Sequence, residues 1–157
     1  MAIFLFYGED TYSSYQKLRL WQEEFAKKYS SDSIEIIEGK ALDPAEFSTN
    51  IEAIPLFSEK RLMIVKNFLR DSAPENQKRV SKALEKSADH CLILFYEQEM
   101  PDKRTVLFQK ISKTGKAEEF KNPDPSEIAE WILTEAKKEQ VKISFETANY
   151  LAQHSGQ

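Results

Sequence analysis

Ala2-Ile3-Phe4-Leu5-Phe6-Tyr7-Gly8-Glu9-Asp10-Thr11-Tyr12-Ser13-Ser14-Tyr15 is the stretch that decides the fold. An unbroken apolar run from Ala2 to Tyr7 suits a strand covered on both faces, as in a parallel sheet. Gly8-Glu9-Asp10 turns the chain. Beyond it, Leu18, Trp21, Phe25 and Tyr29 share one face of a helix predicted from Thr11 to Tyr29. Strand, turn and helix make half of a parallel crossover unit, and the same rhythm repeats downstream. Further strands are predicted at Ser33–Glu38, Arg61–Lys66, Cys91–Tyr96 and Ala117–Phe120, with helices over 44–54, 75–86 and 102–113 between them. Asp43-Pro44-Ala45-Glu46 is a strong helix start: Asp can cap, Pro suits the first position and Glu46 can reach back to the cap. Pro55 ends that helix. The alternation predicts an α/β fold over residues 1–121, a doubly wound, mostly parallel five-stranded sheet.

Asn122-Pro123-Asp124-Pro125 interrupts the rhythm, since two prolines in so short a stretch suit a linker. Two helices are predicted after it, at Ser126–Glu139 and Ser144–His154. Their core is too small to stand alone. Either they pack on the first domain or the natural chain continues past Gln157; the second is the expectation, with residues 122–157 beginning a small helical lid domain.

Composition narrows the function classes. The 157 residues are 41% hydrophobic and 11% aromatic, ample for a packed core. Against 26 acidic residues stand 22 basic ones, a net charge of -4, whereas a dominant nucleic-acid footprint calls for a basic surface. DNA contact is expected to be weak or indirect. The single cysteine excludes an internal disulfide and a paired-cysteine metal site. The first apolar run stops at Gly8, far short of the ~20 residues needed to cross a bilayer, and it lacks signal-peptide features. No membrane contact is expected, and the cytoplasm is the expected compartment.

An α/β domain followed by a helical lid is similar in layout to the AAA+ ATPases, which makes the nucleotide machinery testable by position. A phosphate loop needs a glycine-rich turn after the first strand, then Lys and Ser or Thr at the helix start. Counting from Gly8, Ser13 replaces the second glycine, Ser14 the lysine and Tyr15 the metal-binding hydroxyl, while Glu9 and Asp10 would repel phosphate. The acidic pair expected after the third strand, which would hold magnesium, is replaced by Lys66-Asn67. The reading is AAA+-like without a phosphate loop. No cofactor and no catalytic residue is expected.

Four ordered motifs carry a closer resemblance: Tyr7-Gly8-Glu9-Asp10-Thr11-Tyr12, Ile54-Pro55-Leu56-Phe57-Ser58-Glu59-Lys60-Arg61-Leu62, Asp102-Lys103-Arg104, and Glu119-Phe120 followed by the linker and Glu130-Trp131-Ile132. In this order, over nearly all of the chain, they resemble the delta subunits of bacterial DNA polymerase III clamp loaders. Members of that family carry a further helical collar domain, which this sequence lacks. The resemblance implies a non-catalytic replication subunit of the DNA polymerase holoenzyme that binds the sliding clamp (the beta subunit) and opens the ring. Contacts with other loader subunits would run through regions mostly missing here. It assigns the clamp contact to a Leu56-Phe57 wedge, with Pro55 and Ile54 beside it. Residue pattern by itself favours a second role for Leu56 and Phe57, closing the domain core at a helix end. The competing function is a degenerate nucleotide-binding or nucleic-acid-binding scaffold domain.

Other side chains with chemical potential have plainer readings. Cys91 lies within an apolar strand and is expected to be buried there. His90 and His154 lack companions at ligand spacing. Glu97 and Glu99 read as a solvated strand end. Lys103, Arg104, Lys110 and Lys113 read as an exposed helix with cations near its C-terminus.

Overall fold

A computed structural model describes residues 2–55, 58–86 and 88–154. Five strands form one sheet: β1 Ala2–Gly8, β2 Ile34–Glu38, β3 Arg61–Lys66, β4 Cys91–Glu97 and β5 Lys116–Phe120. Their order is β2-β3-β4-β1-β5 and every pairing is parallel. Among the described residues seven α-helices accompany them: α1 Thr11–Tyr29, α2 Pro44–Glu52, α3 Phe68–Asp71, α4 Pro74–Ala83, α5 Val106–Thr114, α6 Pro125–Lys138 and α7 Phe145–His154.

Strand alternation sends successive side chains to opposite faces, and each face has its own cover. Ile3, Leu5, Met63, Val65, Ile93 and Phe95 pack under Phe47 and Ile51 of α2, Val80 of α4, and Leu107 and Ile111 of α5. Phe6, Leu62, Ile64, Leu94 and Tyr96 pack on the other face under Leu18, Trp21 and Phe25 of α1. Helices on both faces make the sheet doubly wound, and the middle strands bury nearly every side chain.

Several predicted boundaries move, each for a local reason. The helix predicted from residue 102 starts at Val106, because Thr105 caps it by accepting the Phe108 N–H. Asp102 instead accepts the Arg104 N–H and pairs with its guanidinium. The helix after Asp43 ends at Glu52 rather than 54, since a residue preceding proline is pushed out of helical geometry. The helix predicted over 75–86 keeps α geometry only to Ala83, and residues 84–86 tighten into a 3₁₀ turn. The short α3 adds to the predicted helices.

The chain divides into two compact units, one running to Phe120 and one starting at Lys121. In the second, Asp124 and Glu127 form a reciprocal capping box at the start of α6, with Pro125 at its first position. Its core is Ala129, Ala148 and Ala152, flanked by Ile128, Ile132, Leu133 and Ile143. Among the described residues no helix is long and apolar enough to cross a membrane.

Candidate functional site

Two places could carry function in this fold. One is the carboxyl edge of the sheet beside β1. There β1 leads through α1 toward β2 while the adjacent β4 leads through α5 the other way to β5, the topological switch point at which open α/β sheets take ligands. The other is the tip between α2 and β3.

At the switch point the turn after β1 is filled by the chain itself. Gly8 adopts φ +135°, and a Cβ there would meet the Phe120 carbonyl oxygen at 2.1 Å, so only glycine fits. Asp10 donates its N–H to the Phe120 carbonyl at 3.1 Å and Thr11 donates to Glu9 at 2.9 Å. Asp10 Oδ1 takes the Ser13 N–H at 2.9 Å, and the Asp10 carbonyl takes the Ser14 N–H at 3.2 Å. These are the donors with which a phosphate loop would hold its ligand. Ser14, where a phosphate-binding lysine would stand, is fully buried. Its hydroxyl donates to the Thr11 carbonyl at 3.2 Å, so the Tyr96 hydroxyl, 3.3 Å away, must donate to it.

The rest of that edge is equally self-contained. Lys103 Nζ lies 2.9 Å from Glu119 Oε2, which also accepts the Tyr7 hydroxyl at 3.1 Å. Burial first, and the Glu119 carboxylate second, push the Tyr7 phenol up. After β3, Asn67 holds a left-handed conformation and exchanges side-chain contacts with Gln98 rather than presenting a carboxylate.

The reading of Glu97 and Glu99 as a solvated strand end requires correction for Glu97. Glu99 is exposed and pairs with Arg70. Glu97 is 1% exposed and accepts the Leu69 N–H at 2.8 Å and the Arg70 N–H at 3.2 Å, so it caps α3 from another strand. Burial pushes its carboxyl up to about 7, against the opposing pull of the Leu69, Arg70 and Phe68 N–H groups. The cations read as an exposed helix face are mostly paired: Lys103 with Glu119, Arg104 with Asp102 and Lys110 with Glu85. Cys91 is buried, and desolvation pushes its thiol up to about 11, away from nucleophilic use.

The tip is built differently. Asp43 caps α2 through the Ala45 N–H at 2.7 Å, and the chain leaves the helix extended at Ala53. Ile54 then stands 77% exposed and Pro55 half-buried. Leu56 and Phe57 lie outside the described residues. On the return, the Ser58 hydroxyl donates to the Lys60 carbonyl at 2.7 Å and receives the Lys60 N–H at 3.3 Å.

Both feet of this tip are braced across the sequence. The His90 ring meets the Ala53 carbonyl at 2.9 Å, so Nε2 carries the proton. Arg61 Nη1 donates to the Asn50 carbonyl at 3.2 Å, while its backbone N–H bonds the His90 carbonyl at 2.8 Å. Sequence reading placed Arg61 in the motif around the tip but gave neither residue a bracing role, because their partners lie 37 and 11 positions away.

The comparisons with known proteins agree on where this architecture belongs. Among solved structures, the DNA clamp loader delta protein YqeN of Bacillus subtilis superposes with TM-score 0.67 at 22% identity, over 96% of this chain and 47% of that one. A DNA polymerase III gamma subunit-related protein of Thermotoga maritima gives TM-score 0.55 at 15% identity, over 97% and 53%. A RuvB mutant of Thermotoga maritima gives 0.59 at 13%, over 99% and 50%. This chain thus spans about half the length of the structures it matches. At such identities these likenesses establish the fold. No curated protein matches the sequence. The family model for the delta subunit of DNA polymerase III matches residues 4–121, three-quarters of the chain, and on that match the chain belongs to the DNA polymerase III delta subunit family.

Proposed function

We propose that this chain is the clamp-binding part of a non-catalytic clamp-loader subunit in DNA replication, working in the cytoplasm. It grips the sliding clamp through Ile54, Pro55, Leu56 and Phe57 and favours the open ring. The observation that carries this reading is Ile54, a large apolar side chain held 77% exposed on an extended tip whose feet are braced by His90 and Arg61. Bracing lowers the ordering cost of binding, because the residues flanking Leu56 and Phe57 are held before the partner arrives.

Magnitudes describe a partial anchor. Burying Leu56 and Phe57 on the clamp is worth roughly 1.5–3 kcal/mol each. Association itself costs about 4–15 kcal/mol, so the surrounding surface must contribute as well. The tip acts as the hot spot within a wider contact. A subunit that binds the open ring more tightly than the closed one shifts the ring toward opening by that difference in affinity. No chemical step is assigned to this chain. The filled turn after β1 supports that assignment, and nucleotide hydrolysis would fall to other loader subunits.

The test is capture of a sliding clamp by the full chain, compared with Leu56→Ala/Phe57→Ala. Binding by the unchanged chain and loss in the double variant, with melting temperatures within a few degrees, support the reading. A double variant that binds equally well, or one that unfolds, returns the pair to the domain core.

A further inference from the structure

A groove of about 230 Å³ runs between α2 and α4, and its walls differ in kind. The floor is apolar, from Pro44, Ala45 and Ala83, and the rim is cationic, from Arg79, Lys82 and Lys86. Arg79 and Lys82 stand at i and i+3 on α4, Lys86 follows in the 3₁₀ turn after it, and all three line the groove. In a chain of net charge -4, the charged side chains lining this groove are all cations.

These charges are weakly engaged within the molecule. Arg79 meets Glu75 at 3.9 Å and Lys86 meets Glu52 at 3.8 Å, both long, with the two cationic side chains 65% and 63% exposed. Lys82 makes no ion pair among the described residues. Pairs of this length and exposure contribute little to folding, so they are available for exchange. Glu52 is the last residue of α2, two positions before Ile54, and the row therefore ends at the foot of the tip.

We infer that this groove is a second anchor on the same face and takes an acidic peptide segment of the protein that receives the tip. The inference rests on the clamp-binding reading and supplies part of the contact surface that the tip alone lacks. A peptide is favoured over nucleic acid because the Pro44, Ala45 and Ala83 floor can bury side-chain methylenes, from which a phosphate backbone gains nothing. Rim charges of this kind act on encounter rate and salt dependence more than on the final packing.

The experiment titrates a sliding clamp with the full chain at low and high salt. The variants are Arg79→Gln/Lys82→Gln/Lys86→Gln, its charge-keeping counterpart Lys82→Arg/Lys86→Arg, and the tip variant Ile54→Ser. Neutralising the row is expected to cost about tenfold in affinity at low salt and to flatten the salt dependence. The Arg variant should keep both, and Ile54→Ser should lose affinity while keeping the slope. Wild-type affinity and slope in the neutralised variant, beside a weakened tip variant, overturn the groove and leave the tip standing. No binding by the unchanged chain overturns both. Neutralisation that abolishes binding to duplex DNA but spares the clamp would assign the row to nucleic acid and overturn the inference.

Discussion

At the turn after β1, the N–H groups of Asp10, Thr11, Ser13 and Ser14 are all taken by the chain's own oxygens, and Ser14 is sealed against Tyr96. At the tip after α2, Ile54 stands in solvent while His90 and Arg61 secure the backbone on either side. Within one fold, the place that conventionally receives a ligand has been closed with internal partners. At another connection of the domain one apolar side chain, Ile54, stands outward. Folding energy accounts for the first arrangement and not for the second, because an exposed isoleucine gains nothing until something covers it.

The difference can be broken at the closed end with one atom. Gly8→Ala places a Cβ 2.1 Å from the Phe120 carbonyl at a φ that side chains avoid. It should cost at least about 3 kcal/mol, read as a lower urea midpoint. Near-wild-type stability would mean the turn is looser than described.

Glu97 offers the next largest effect. Glu97→Gln replaces one of two buried acceptors with a donor facing a donor, and should cost about 1–3 kcal/mol. Its pH signature is distinctive. With the folded carboxyl raised to about 7, the native state holds a proton that the unfolded chain releases between the usual glutamate range and that value. The contribution of Glu97 is therefore complete at low pH and falls as pH rises through this window, levelling above it. The Gln variant should lack that slope, and an identical slope in both proteins would refute the assignment.

At the tip, smaller changes are expected. His90→Ala removes one bond to the Ala53 carbonyl, a loss of about 0.5–1.5 kcal/mol in chemical unfolding, with a several-fold weaker grip on the clamp as the tip loosens. Unchanged clamp affinity would show that the brace does not prepare the tip. Least of all should happen on adding ATP and magnesium: calorimetry should show no binding heat, and saturable heat would reopen the turn after β1.

How much of this was legible depended on how local each cause is. The strands were readable because apolar runs such as Cys91-Leu92-Ile93-Leu94-Phe95 announce burial in themselves. The loss of the phosphate loop was readable because the lysine position holds Ser14. Helix α3 was not readable, since its cap is the carboxylate of Glu97, 28 residues from Leu69. The same distance hid the burial of Glu97, whose sequence identity suggests solvent. At the tip, Ile54 and Pro55 were named from motif resemblance. Their support by His90 and Arg61 depends on β3 and β4 lying side by side, which single-chain periodicity does not encode.

The most direct measurement is the equilibrium affinity of the full chain for a sliding clamp, with and without Leu56→Ala/Phe57→Ala, alongside both melting curves. Saturable binding that disappears in the double variant, while the two proteins melt within a few degrees of each other, is the outcome expected of an outward-facing tip. Equal affinity of both proteins, or no binding by the unchanged chain, would contradict it.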